Sequence, residues 1–252
     1  MEQAKYYSRS PIVEARMDIK VKLSPETGVA DLMQIANAIE DEYAIDQQYF
    51  SLNGQITVDD AIDLITTSAN KFPIGYGFIA DDKKRRVQSR LDGFTFSQFR
   101  PYPGWANFQQ TARTLWESYE QTTNPIEIES LSLRYINRIE VSSASGSLKE
   151  YFTTSSEIPP DLPQTPSTYL LHLQLPIDEI NSIVQIVQAR VPLQLDPIPL
   201  DSIFVLLDIN ITTQGTISKQ TEDIWQQLSL IHQHTNRVFE AFITDKTRES
   251  IR

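Results

Sequence analysis

The sequence predicts an α+β fold: antiparallel sheet with long amphipathic helices on one face, arranged as a pseudo-duplicated strand–meander–helix unit. Three observations carry this. Residues 11–23 and 131–141 alternate apolar and polar side chains, as half-buried antiparallel strands do. Between residues 76 and 99 three short apolar runs follow one another, with the hairpin dipeptide Asp92-Gly93 between the last two. Segments beginning near Trp105 and near Ser218 carry apolar residues at helical spacing.

The elements follow in order. In residues 11–23, Val13, Ala15, Met17, Ile19 and Val21 share one face, and Glu14, Arg16, Asp18, Lys20 and Lys22 share the other. Ser24-Pro25 reads as a helix start, because serine caps and proline suits the first helical position. That helix is expected to reach about residue 43 with Leu32, Ile35, Ala36 and Ile39 inward. Residues 50–58 read as a short strand and 58–68 as a short helix. Strands are expected at 76–80, 86–91 and 94–99, the last stopped by Pro101 and Pro103. The cluster Lys83, Lys84, Arg85, Arg86 reads as a solvated hairpin tip rather than a phosphate site, since no aromatic residues interleave it. Trp105, Phe108, Ala112, Leu115, Trp116 and Tyr119 then fall on one helical face.

The second half opens with the strand from Ile126 through 131–141, followed by a polar loop at 142–147. Residues 158–167 hold four prolines and are irregular. Residues 168–175 alternate, with Tyr169, Leu171, Leu173 and Leu175 inward, and 181–191 and 203–212 read as two more strands. The proline-rich stretch between those two is not regular. The final helix, 218–244, spaces Ile224, Leu228, Ile231, Thr235, Val238 and Phe242 in a 4-3-4-3-4 pattern. Trp225 and Phe239 widen that seam, which favours a helix laid across a sheet over a two-stranded zipper. The chain is expected to be one unit, 1–252, with pseudo-repeat halves of about 1–124 and 125–252.

Composition bounds the function. The 252 residues are 40% hydrophobic and 22% charged, ample for a core. A net charge of −11 argues against general attraction to nucleic acid or anionic membranes. With no cysteine, disulfides, thiol nucleophiles and cysteine zinc sites all drop out, in agreement with a reducing compartment. The first ten residues lack an apolar signal region, and no apolar run approaches the roughly 18 residues that span a bilayer. A cytoplasmic protein is expected, with another protein as its partner, no nucleic acid, no membrane and no cofactor; self-association is compatible with this reading.

Chemistry is sparse. His232 and His234 stand two apart on a helix and point about 200° from one another, so they cannot share a metal. His172 reads as a solvated or core-edge histidine. No phosphate-binding loop, dinucleotide fingerprint, nucleophile elbow or zinc-protease motif is present, and Asp59, Asp60 and Asp63 match no calcium loop. No catalytic or metal-binding residue is expected. The remaining candidates for ligand or partner binding are Glu14, Arg134, Asn137 and Arg138. Arg134 and Arg138 share a strand face roughly 13 Å apart. With Glu14 on the polar face of another strand they form either a structural ion-pair network or a fork for an anionic group. Asn137 lies on the otherwise apolar face and needs hydrogen-bond partners.

Three pieces of the chain, PIVEARMDI, LSLRYINRIEV and RVFEAFITDKTRE, resemble in order and position a sporadically distributed family of uncharacterised bacterial and archaeal proteins of about this size. Pro11 and Glu14, then Arg134, Tyr135, Asn137 and Ile139, then Phe239, Ile243, Thr244 and Asp245 carry the resemblance. It implies a single full-length unit and no established activity. The patchy distribution of such families implies an association with defence or mobile elements, in keeping with a regulatory, immunity-type or chaperone-like binding protein. The alternative is an enzyme or sensor that binds an anionic small molecule near Arg134 and Arg138.

Overall fold

In the computed structural model, which describes residues 7–39, 41–59, 64–142, 147–155, 157–164, 166–190 and 202–252, the two alternating stretches form the central pair of one sheet. β1 (Ile12–Lys22) and β6 (Glu127–Ser142) run antiparallel from Ile12↔Asn137 to Lys22↔Glu127. The outer side of β1 takes β5 (Gly93–Phe99), then β4 (Arg85–Arg90), β3 (Leu64–Ala80) and β2 (Tyr43–Asp59). The outer side of β6 takes β9 (Ser202–Thr213), then β8 (Ser182–Arg190) and β7 (Tyr169–Ile177). The described strands thus form a nine-stranded antiparallel sheet, ordered β2-β3-β4-β5-β1-β6-β9-β8-β7.

Strand periodicity makes the two faces unequal. Ala15, Met17 and Ile19 of β1 align with Phe94 and Phe96 of β5 and with Leu131, Leu133 and Tyr135 of β6, and all are buried. Helices cover this face. α1 (Val29–Leu32) and α2 (Gln34–Ile39) bury Leu32, Ile35 and Ile39. α3 (Trp105–Thr123) buries Phe108, Ala112, Leu115, Trp116 and Tyr119, and Trp116 meets Phe94 edge-on at 5.8 Å. α4 (Thr221–Phe242) buries Ile224, Trp225, Leu228, Ile231, Thr235 and Phe242 against β6 and β9. α5 (Asp245–Ser250) closes the chain. Each large side chain withdrawn from water contributes roughly 1.5–3 kcal/mol, so this face holds the fold together. No helix among the described residues is long and apolar enough to cross a membrane.

Several sequence expectations need correction. The helix expected from Ser24 begins at Val29: Ser24 instead accepts from the Thr27 N–H in a turn, and the Asp31 carboxylate takes the Gly28 N–H at 2.8 Å. Of the helix expected at 58–68, residues 58–59 and 64–68 belong to β2 and β3, where β-branched Val58, Ile65, Thr66 and Thr67 suit a strand; 60–63 lie outside the described residues. The β4–β5 hairpin turns on Leu91 and Asp92, with Gly93 already paired to Arg90. Glycine is required there because a Cβ would stand 2.6 Å from the Ile19 carbonyl oxygen. The basic cluster lies at the β3–β4 turn, with Lys83 at φ 57°, Arg85 paired to Glu42 and Asp82, and Arg86 to Asp46.

The polar loop expected at 142–147 falls mostly on 143–146, outside the described residues, as does the proline-rich stretch 191–201. Residues 147–155 are pinned: Phe152 bridges to Ile243, and Leu148, Tyr151 and Phe152 are buried. By contrast, the described positions from 157 to 164 are mostly exposed.

Candidate functional site

Opposite the helices, the even-numbered residues of β1 from Glu14 on and of β6 from Ser130 on face away from the core. Sheet register sets their neighbours. Arg16 and Arg134 are direct cross-strand partners, Glu14 stands opposite Ile136, and Asp18 stands opposite Ser132. On the far side of β6, Asn210 faces Arg134 and Asp208 faces Ile136. Arg134 therefore lies diagonally between two carboxylates, within reach of long side chains. It takes Asp208 with both arms of its guanidinium: Nε donates to Oδ1 at 2.8 Å and Nη2 to Oδ2 at 2.5 Å. This fork raises the Arg134 pKa, outweighing partial burial, and Glu14 adds to the effect through its charge. Glu14 in turn accepts from the Ser97 hydroxyl at 3.1 Å.

A second hub lies next to the first. Arg90 donates to Asp92 at 2.9 Å, Gln88 at 2.7 Å, Thr95 at 2.8 Å and Asp18 at 3.3 Å. Burial works against its charge, but Asp18 and Asp92 outweigh that and its pKa rises. The Thr95 hydroxyl also donates to Asp18. Arg16 reaches this hub only loosely: its Nη2 lies 4.0 Å from Asp18 Oδ1, and its side chain keeps 34% of its exposure. Arg138 sits at the other end, its guanidinium 4.2 Å from the Phe204 ring centroid.

The structure divides the four candidates. Glu14, Arg134 and Arg138 share the face opposite the helices. Asn137 is on the other, buried, with Nδ2 donating to the Leu207 carbonyl at 3.0 Å. It is satisfied inside the core and takes no part in the charged surface. Sequence reasoning missed Arg16, Asp18, Arg90 and Thr95 as members and Asp208 as the partner of Arg134. The signal was present for Asp208, which alternates onto the polar face of β9, but pairing β6 with β9 is a long-range fact that periodicity does not contain.

A separate polar chain runs through the helical layer. The Tyr102 and Tyr135 hydroxyls are 3.0 Å apart, Tyr135 Oη is 3.0 Å from His232 Nδ1, and His232 Nε2 is 3.1 Å from Asn236 Nδ2. Trp105 stacks flat on the imidazole at 4.3 Å and 7°. Burial pushes the His232 pKa down to about 4 and the two tyrosines up. The hydrogen bonds and the stacked Trp105 link β6 to α3 and α4. His234 points elsewhere, 3.6 Å from Glu179. Among the described residues no three histidine or carboxylate side chains converge as metal ligands.

No protein-family model matches the chain, and no curated protein matches it.

Proposed function

We propose that the protein is a cytoplasmic, non-enzymatic binding protein that recognises another protein through the face of its sheet opposite the helices. The observation that carries this is the state of that face. Arg134, Asp208, Glu14, Arg90 and Asp18 are part-buried there and held in place by forked and shared hydrogen bonds. Ordering entropy has been met within the fold, so a partner meets a rigid charged pattern rather than mobile side chains. The strand order supports the duplicated reading as part of the proposal: β1 pairs with the last strand of its meander, β5, and β6 with the last of its own, β9. An internal twofold between β1 and β6 would set Arg16 and Arg134 at equivalent positions. The family resemblance adds the setting, a regulatory or immunity-type partner in a defence or mobile-element system. The test is affinity capture from native lysate with the wild type and with Arg134→Met and Arg138→Met. A specific protein retained by the wild type and lost with a variant that is still folded at the capture temperature supports the reading; capture indifferent to both variants overturns it.

One observation favours a second reading. Arg16 and Arg134 are like charges directly opposed, an arrangement that costs roughly 0.2–1 kcal/mol, and Arg16 has its carboxylate only at 4.0 Å. A small anion seated there would relieve both. A thermal-shift screen with phosphate, nucleotides and dicarboxylates, repeated on Arg16→Met, distinguishes this from protein recognition.

A further inference from the structure

We infer that the outer edge of β7 is a self-association surface, on which a second copy of this chain adds its own β7 antiparallel to continue the sheet. The inference is independent of the charged face. β7 ends the sheet, and among the described residues none pairs with its outer side. Protein edges are ordinarily blunted by charge, proline, bulges or cover, and here the proline is Pro176, at the far end of the strand. This one, YLLHLQLPI, carries no charged residue in a chain that is 22% charged, and its ladder to β8 runs from Tyr169↔Arg190 to Ile177↔Ser182 without a register shift. Leu170 is 70% exposed and Leu175 47%.

Proline assigns the free groups. Pro176 cannot donate to β8, so its nitrogen belongs on the outer side, and strand periodicity puts the N–H and C=O groups of Leu170, His172 and Gln174 there too. The antiparallel register that satisfies all of these, without proline in the ladder, is centred on His172, with Leu170 opposite Gln174 of the other copy. On the helical side Leu171 then meets Leu173 of the other copy, and Tyr169 meets Leu175. Leu230 of α4, 37% exposed, shares a helical face with Gln227, which binds the Ile180 carbonyl, and with His234 and Arg237, which meet Glu179. It therefore overhangs the same seam.

Charge fixes the occupant as a second copy. Asp178 and Glu179 follow β7 at one end, while Arg190 flanks the other and donates to the Pro166 carbonyl. Antiparallel pairing sets the acidic end of one copy beside the basic end of the other, which offsets the repulsion that −11 charges impose on self-association.

The test uses the full chain. Sedimentation velocity should show the mass rising about two-fold by roughly 200 µM, as a small edge interface implies. Because the chain has no cysteine, His172→Cys should give a reducible dimer on oxidation, whereas Gln174→Cys, offset from its counterpart by roughly 13 Å in this register, should not. Leu170→Lys, at an exposed position, should abolish the dimer with its melting temperature unchanged. A wild type that stays at the mass of one copy overturns the inference. So does a dimer that survives Leu170→Lys, or one in which His172→Cys fails to cross-link.

Discussion

The charged face depends on how tightly single side chains are paired. Arg134 keeps 38% of its side-chain exposure and Asp208 17%, so their fork is neither a surface pair worth almost nothing nor a fully buried one. Arg134→Met should destabilise by about 2 kcal/mol. In double-mutant cycles read by urea unfolding, coupling to Asp208→Asn should be about 1 kcal/mol or more, and to Glu14→Gln a few tenths. The reverse ranking would mean that Glu14, not Asp208, holds the arginine. His232 makes the opposite kind of contribution. Its folded pKa of about 4 lies below the ordinary 6.5, so between those values the unfolded chain binds the extra proton and stability falls as pH falls. Relative to pH 7 the loss should reach about 2 kcal/mol by pH 5. His232→Gln, which cannot titrate, should show a flatter stability profile from pH 7 to 5; an unchanged slope would place the histidine's proton elsewhere.

At the scale of elements, the β2–β3 hairpin behaves differently from the rest of the sheet. β3 meets β4 from Gly75 to Ile79, and the Leu91 N–H donates to the Ile74 carbonyl, so among the described residues 64–73 pair solely with β2. The result is a two-stranded ribbon roughly 33 Å long, and a two-stranded hairpin by itself is marginal in water. Amides of 51–59 and 64–72 should exchange with solvent far faster than those of β1 and β6, and replacing 51–71 by an Asn-Gly turn should shift stability by less than about 1 kcal/mol. Loss of cooperative unfolding on that excision would show that the ribbon belongs to the core. This is also where sequence reading failed in part: 50–58 lie in β2 as expected, but the described residues of 58–68 are strand and not helix. β1 and β6 were legible because one face is buried and the other wet, so period two is written into Ala15, Met17 and Ile19 against Arg16 and Asp18. α3 and α4 were legible for the same reason at period 3.6. In the ribbon, threonines and asparagines alternate only weakly with apolar residues, so period two is faint in the sequence itself. The site was half legible: alternation placed Arg134 and Arg138 on the polar face, but Asp18, Arg90 and Asp208 are separated from Arg134 by 44 to 116 residues, and only strand order joins them.

The whole molecule is organised around the β1–β6 pair. That pair joins residues from the two halves along its full length, and the buried core draws on both sides of it without a break. The termini tie the halves again: the Arg9 N–H donates to the Ile251 carbonyl, and Tyr7 donates to Glu240 at 2.5 Å. Separating the chain near residue 125 would expose one edge each of β1 and β6, strip α4 from beneath the Arg113–Glu222 and Gln109–Ser229 contacts with α3, and leave two open apolar faces. Neither half could then offset the entropy of ordering its own strands. Unfolding in urea should therefore be a single transition, with β1 and β6 amides sharing the global opening energy. Limited proteolysis should cut first at 157–164, where exposed backbone lies between the anchored Phe152 and the start of β7, and the nicked chain should stay associated through β6 and β9. Expressed alone, residues 1–124 or 125–252 should be insoluble or non-cooperative. A sharply melting, monomeric half would show that the two units fold first and dock afterwards, and would move the β1–β6 contact from the centre of one core to the interface between two.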